Sequence, residues 1–440
     1  MVKLLRSLFV AYLGFCALPS SAQGLIRDAE LEHAMQRISA PLFEAAGLSY
    51  SGIDIYIVNS STLNAFVLNN DIYIYAGLVQ RLARVEQLQA VIAHEIGHIT
   101  GSHQIQRIAR IGQAQTSAGL GLLLGVAIAA VGGGNASAGI ALGLGDAASK
   151  ELLTFTRAQE ASADQTGALI LAAAGINPVA ALEVFELFKG QEYINAVRQD
   201  PYTRTHPLTT TRIQYLQTVA ERYSRLPKNG QGDAAYWYGR AKAKFDGFRV
   251  RPDNVLRRIS STDQSEAALM RRAIAYHRLP DKAKSRNYMN QLLALKPDDP
   301  YYHDLNAELL LESADIPSAI NAYERALELR PTEAQFLAGL GRAQLALDTN
   351  AGNRAALASL QKSYARDPRN GRMLRDLSVA FAKMGQPAMA SLATAERYAI
   401  RGQIGQARIH AKRALDNLPE GSGTYLRAQD IIFAANRARQ

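Results

Sequence analysis

Three prolines, Pro297, Pro331 and Pro368, stand 34 and 37 residues apart. Each sits in a similar stretch: LALKPDDPYYHDL, LELRPTEAQFLAGL and SYARDPRNGRMLRDL. Proline lacks an amide donor and cannot continue a helix, so each one separates two helical runs. A period near 34 residues with helical apolar spacing predicts a repeating unit of two helices. One such unit cannot bury its own apolar face. Copies must stack into a solenoid. The three extra residues of the second interval match a polar insertion at Asp348 to Asn353. Weaker copies occupy about 264–296 and 369–436. Residues 234–440 are therefore expected to form an all-α solenoid. An ordinary helical bundle would not need the recurring proline.

The unit AINAYERALELRP, residues 319–331, resembles the second helix of a tetratricopeptide repeat. Upstream the pattern changes. IDIYIV (53–58) and AFVLNNDIYIY (65–75) alternate apolar and polar with β-branched and aromatic residues, which predicts strands. Asn69-Asn70-Asp71 reads as a hairpin turn. Leu78, Leu82, Val85, Leu88, Val91 and Ile92 then fall on one helix face. Lys150 to Ala174 is a further amphipathic helix, and Asn177-Pro178 starts another, ending near Lys189. PKNGQGD, residues 227–233, is a linker.

Two apolar segments bear on location. Lys3 and Arg6 precede the run Leu8 to Leu18, and Ser20-Ser21-Ala22 suits cleavage after Ala22, so residues 1–22 read as a secretory signal peptide. The other reading is an uncleaved anchor, for which the run is short. Cys16, the single cysteine, lies inside it, and Phe15 is a poor neighbour for a lipoprotein site. The exported chain then has no disulfide and rests on packing and a metal. Residues 119–145 are apolar, glycine-rich and uncharged. They are either a membrane-contacting hairpin or two close-packed helices broken at Gly132-Gly133-Gly134. The unbroken part falls short of the ~20 residues of a membrane span. Peripheral contact with a membrane or a client stays open.

Charge is uneven. Residues 23–225 carry 14 Lys and Arg against 17 Asp and Glu, whereas residues 226–440 carry 33 against 22. A basic half attracts anionic surfaces or acidic partners. No nucleic-acid motif is present, and export argues against a nucleic-acid partner.

The chemistry lies in VIAHEIGHITGSH. His94 and His98 are four apart and share one helix face, with Glu95 beside them. This HExxH spacing suits two zinc ligands and a carboxylate that takes a proton from attacking water. Two surface histidines would also match it, so a third ligand decides. His103 is five beyond His98, where the long metalloprotease motif needs six, and it reads as helix-end polarity. RAQEASAD fits better. Glu160 can bind the metal, and Asp164, four further on, can accept the other ring N–H of His94. Ala158, Ala161 and Ala163 leave room for close helix approach. In THPLTTTR, His206 and Arg212 can stabilise an oxyanion, or His206 can plug the open metal position.

HEIGH, EASAD and the THP…R segment together resemble the M48 family of zinc metallopeptidases. The order of signal, catalytic domain, glycine-rich insertion and tetratricopeptide repeats is similar to that family's periplasmic group in Gram-negative bacteria, which acts on outer-membrane β-barrel proteins. The resemblance implies an α+β fold. A mainly helical gluzincin-type domain with a small β-sheet, residues 23–226, precedes the solenoid. It implies one Zn2+ per chain on His94, His98 and Glu160, Glu95 as acid/base and His206 near the metal. Asn69-Asn70 departs from the small or glycine-containing turn expected there. The implied activity is cleavage of misfolded or stalled outer-membrane proteins in the periplasm. The repeats would hold clients or the β-barrel assembly machinery, and strand 72–76 would offer a free edge to an extended client. Two alternatives remain: a chaperone or scaffold with a closed or dispensable protease site, and a membrane-embedded peptidase using 119–145.

Overall fold

A computed structural model describes residues 24–49, 52–106, 155–191, 199–227 and 233–437. The expected signal peptide 1–22, the stretch 119–145 and most of the linker 227–233 lie outside the described residues. The N-terminal elements are β1 (Leu25–Ile26), α1 (Ala29–Ala45), β2 (Ile55–Val58), β3 (Ala65–Leu68), β4 (Asp71–Tyr75), α2 (Ala76–Arg81), α3 (Val85–Thr100), α4 (Arg157–Ala173), α5 (Val179–Glu186), α6 (Pro201–Thr205) and α7 (Thr210–Arg222). Among the described residues no helix is long and apolar enough to cross a membrane.

The sheet order is β1-β2-β4-β3, with β2 and β4 parallel and the other pairs antiparallel. Period-2 alternation gives it two faces. Ile55, Ile57, Val67, Ile72 and Ile74 join Met35, Ile38 and Leu42 of α1 and Leu88, Val91 and Ile92 of α3 in the main core. On the other face Tyr73 stacks between Phe66 and Tyr56, with ring centroids 5.0 and 5.3 Å away. The turn joining β3 to β4 is Asn69-Asn70, at φ 52° and 66°. Asparagine tolerates this left-handed region, so the two-residue hairpin forms without glycine. The structure corrects the expected free edge at 72–76. β4 pairs on both sides, and β3 is the edge strand nearest the histidines. Alternation marks a strand but says nothing of its rank in the sheet.

After helices Asp233–Arg249 and Pro252–Arg258 come five helix pairs, whose first helices begin at Glu266, Pro300, Ala334, Gly371 and Ile404. Pro297, Pro331 and Pro368 lie in the turns between successive pairs. The additional residues near 350 lengthen one second helix, Asn350–Arg366, to 17 residues where Lys282–Leu295 and Ile316–Leu329 have 14.

The repeats dock on the N-terminal domain. Tyr238 donates to the Leu82 carbonyl at 2.8 Å. The buried Arg240 pairs with Glu30 at 2.6 Å and with Asp299, and its guanidinium lies 4.0 Å from the Tyr302 ring. Lys244 pairs with Asp28 at 2.7 Å and Glu30 at 3.2 Å. Further along, Arg27 meets Asp367 and Arg369 meets Asp54, both at 2.6 Å. Successive repeats thus reach one short N-terminal region, and part of the charge asymmetry is neutralised within the chain. Removing one member of a buried ion network leaves the others uncompensated. Arg240→Ala should therefore lower the unfolding free energy by about 3–5 kcal/mol in urea titrations. An unchanged midpoint would show that Arg240 does not hold the two halves together.

Candidate metal centre

Helix α3 presents His94 and His98 on one face, and α4 crosses it backbone to backbone. A Cβ on Gly97 would lie 2.7 Å from the Ala163 carbonyl oxygen, and one on Gly167 would lie 3.0 Å from the His94 amide nitrogen. Of the three alanines expected at this crossing, Ala163 is in it, Ala161 is half-buried and Ala158 is exposed. Thr156 and Gln159 form a capping box that starts α4 at Arg157, three residues before Glu160. The close crossing brings Glu160 to the histidine pair.

His94, His98, Glu160 and His206 each offer one ligand atom, all within 4.8 Å of one another, and all four residues are buried. His94 Nε2 lies 3.1 Å from His98 Nε2, 3.3 Å from His206 Nδ1 and 3.4 Å from Glu160 Oε2. Glu160 Oε1 lies 3.3 Å from His98 Nε2 and 3.1 Å from His206 Nδ1. Four ligands at ~2.0–2.1 Å from one tetrahedral ion stand roughly 3.3 Å apart. The donor set and its spacing therefore fit a divalent metal bound by nitrogen and oxygen.

Asp164 Oδ1 lies 2.9 Å from His94 Nδ1. Arg212 holds Asp164 through Nε and Nη2, reaches Glu160 Oε2 at 2.8 Å and donates to the Pro207 carbonyl at 2.8 Å. Its guanidinium thus faces two carboxylates. Burial pushes Glu160 up, but His206 and Arg212 outweigh it and hold the carboxylate well below its ordinary range. Burial disfavours charge on His94, yet the bonds to Asp164 and Glu160 raise it to about 10. His94 would have to give up that proton to ligate a metal. Burial holds His98 down to about 3, leaving it neutral and able to ligate. Glu95 has no exposed surface and neither of its carboxylate oxygens has a hydrogen-bond partner. Burial raises its pKa against the opposing pull of His206 and His94.

Three features were not legible in the sequence. His103 is not helix-end polarity: it is buried, and its Nδ1 lies 3.0 Å from His98 Nδ1. The helix ends at Gly101, and the chain turns back there. Phe155 stacks on the His98 ring at 3.8 Å between centroids. His206 Nε2 donates to the Ala65 carbonyl of edge strand β3 at 3.1 Å. Helix α6 is tied to the residues just before that strand, since Tyr202 N donates to the Leu63 carbonyl and Thr205 Oγ1 donates to Asn64 Oδ1, each at 3.1 Å.

Residues 26–220, which contain all of these groups, match peptidase family M48. The match and the cluster of His94, His98, Glu160 and His206 mark this part of the chain as a metallopeptidase domain. The beta-barrel assembly-enhancing protease of Escherichia coli (strain K12) is 24% identical over 390 residues, spanning 87% of this chain and 78% of that protein. The mitochondrial metalloendopeptidase OMA1 of Homo sapiens is 26% identical over 183 residues, 40% of this chain and 34% of that one. The crystal structure of MamA protein superposes with a TM-score of 0.31 at 17% identity, covering 40% of this chain and 91% of that one.

Burial raises the Asp164 carboxyl, but hydrogen bonds from Arg212 and His94 hold it below its ordinary 3.8. A depressed carboxyl contributes stability that is complete above 3.8 and lost as pH falls through the lower folded value. Arg212→Gln removes the largest downward influence, so the loss should begin at higher pH. Urea midpoints of the metal-free protein against pH should show the acid limb moved to higher pH. An unmoved limb would mean that Arg212 does not hold this carboxylate.

Proposed function

We propose that the chain is an exported zinc endopeptidase that cleaves misfolded or stalled outer-membrane β-barrel proteins in the periplasm of a Gram-negative bacterium. The observation that carries the peptidase reading is a cluster of four buried ligand atoms beside a buried Glu95 whose carboxylate has no hydrogen-bond partner. Nitrogen and carboxylate ligands in tetrahedral spacing suit zinc. His94, His98 and Glu160 are the proposed ligands. Bound zinc would polarise the scissile carbonyl and acidify water.

The chain's own residues perform the rest. Glu95 takes the proton of the attacking water and delivers it to the leaving amine; its raised pKa suits that shuttle. Asp164 accepts the His94 Nδ1 proton and turns Nε2 to the metal. Arg212 is a positioning residue for Asp164 and Glu160 rather than an oxyanion donor. His206 holds the site closed at rest. Its Nδ1 fills the fourth corner of the cluster and its Nε2 occupies the Ala65 carbonyl, where an added strand would donate. An extended client pairing with β3 competes for that carbonyl.

The name of the Escherichia coli relative, the sequence order and the edge strand support a β-barrel client. Barrel precursors are rich in extended segments. The repeats would hold clients or the assembly machinery, and residues 119–145 would supply any peripheral membrane contact. The closed arrangement of His206 also favours a second reading, in which the chain acts as a chaperone or scaffold and cleaves only when opened.

Glu95→Gln should retain zinc and lose about 10²–10⁴-fold in cleavage of an unfolded outer-membrane protein. Undiminished cleavage would end the peptidase reading. If the same variant restores barrel assembly in cells as fully as the parent, the scaffold reading prevails. His206→Ala should cleave faster if the imidazole closes the site. Slower cleavage with zinc retained would make His206 a transition-state donor instead.

A further inference from the structure

His98 has two ring nitrogens with different surroundings. Nε2 faces His94 and Glu160 inside the cluster, and Nδ1 faces His103 Nδ1 at 3.0 Å. A nitrogen that offers its lone pair to a cation carries no proton, so the proton of a neutral imidazole must sit on the other one. His98 Nδ1–H is then the donor, and His103 Nδ1 must accept. His94 makes the same kind of bond to a carboxylate, Asp164. The two histidines of α3 therefore lean on different acceptors, one charged and one neutral.

The chain is built to hold His103 there. Ser102 adopts φ 51°, a left-handed conformation that serine rarely takes, and this reverses the chain after α3. The His103 ring folds back over Gly101, where a Cβ would lie 2.3 Å from His103 Nε2. Gln159, next to Glu160 on α4, donates to the His103 carbonyl at 3.4 Å. Gln104 accepts from the Asn69 amide of the β3–β4 turn at 2.8 Å. One short segment thus ties the end of α3 to the start of α4 and to the hairpin of the edge strand.

We propose that His103 is the positioning residue of His98: its Nδ1 accepts the His98 Nδ1 proton, fixing the tautomer and ring angle that turn Nε2 into the cluster. This rests on the metal-centre reading. The test is zinc affinity, measured by competition with a chelator, beside thermal unfolding of the metal-free protein. His103→Leu should weaken zinc binding by about 10–100-fold, with the metal-free unfolding temperature unchanged. His103→Gln, whose amide oxygen can accept the same proton, should recover most of the loss. Parent-like affinity in His103→Leu would overturn the proposal, as would equal losses in the Leu and Gln variants, which would mean that His103 only fills space. Should His103→Leu not fold, Gly101→Ala takes its place: its methyl displaces the ring and should weaken zinc binding, and an unchanged affinity would overturn the proposal. A parent protein that binds no zinc would refute the metal centre itself, a result distinct from all of these.

Discussion

Glu160 is a carboxylate with no exposed surface. An isolated anion in that position would cost several kcal/mol in lost hydration. The domain answers with compensation from three directions. Arg212 arrives from α7, His206 from the end of α6, and His94 and His98 from α3. Each must approach closely, and α3 can do so only because Gly97 and Gly167 let two helix backbones meet. The crossing, the carboxylate and the imidazoles form one arrangement. Change the helix separation and the charge is stranded.

The same logic holds at the seam between the domain and the repeats. Glu30 and Lys244 are both buried, and Arg240 lies between Glu30 and Asp299. Such pairs add little net stability but make the wrong docking expensive. The short β1–α1 region contributes Arg27, Asp28, Glu30 and Glu32 to contacts with helices from 233 to 370. This keeps the helical repeats in a defined place relative to the domain that carries the metal site.

Much of the site could be read from local spacing. His94 with His98, and Glu160 with Asp164, are i,i+4 pairs, and helical geometry alone puts each pair on one face. The repeat architecture was equally legible, because a period of 34 and a helix-breaking proline act within a single unit. His103 was misread because its place depends on a reversal at Ser102. That conformation has no sequence signature, since serine adopts it only when neighbours over-determine it. The edge strand was misplaced for a related reason. β2 and β4 pair directly in parallel, so β3, which lies between them in sequence, falls at the sheet edge, and strand order follows from packing on α1 and α3 rather than from alternation.

The sequence by itself determined what each segment is: two-helix repeats, an HExxH helix, a second helix with an acidic face and a short set of strands. These follow from interactions within one or two turns of chain. Only the tertiary structure decided that Arg212 braces two carboxylates, that His206 joins the ligand cluster to Ala65 of β3, and that the repeats dock on α1 through buried ion pairs. Those outcomes depend on distances between residues far apart in the chain, set by how closely helices approach and by the need to leave no buried charge alone.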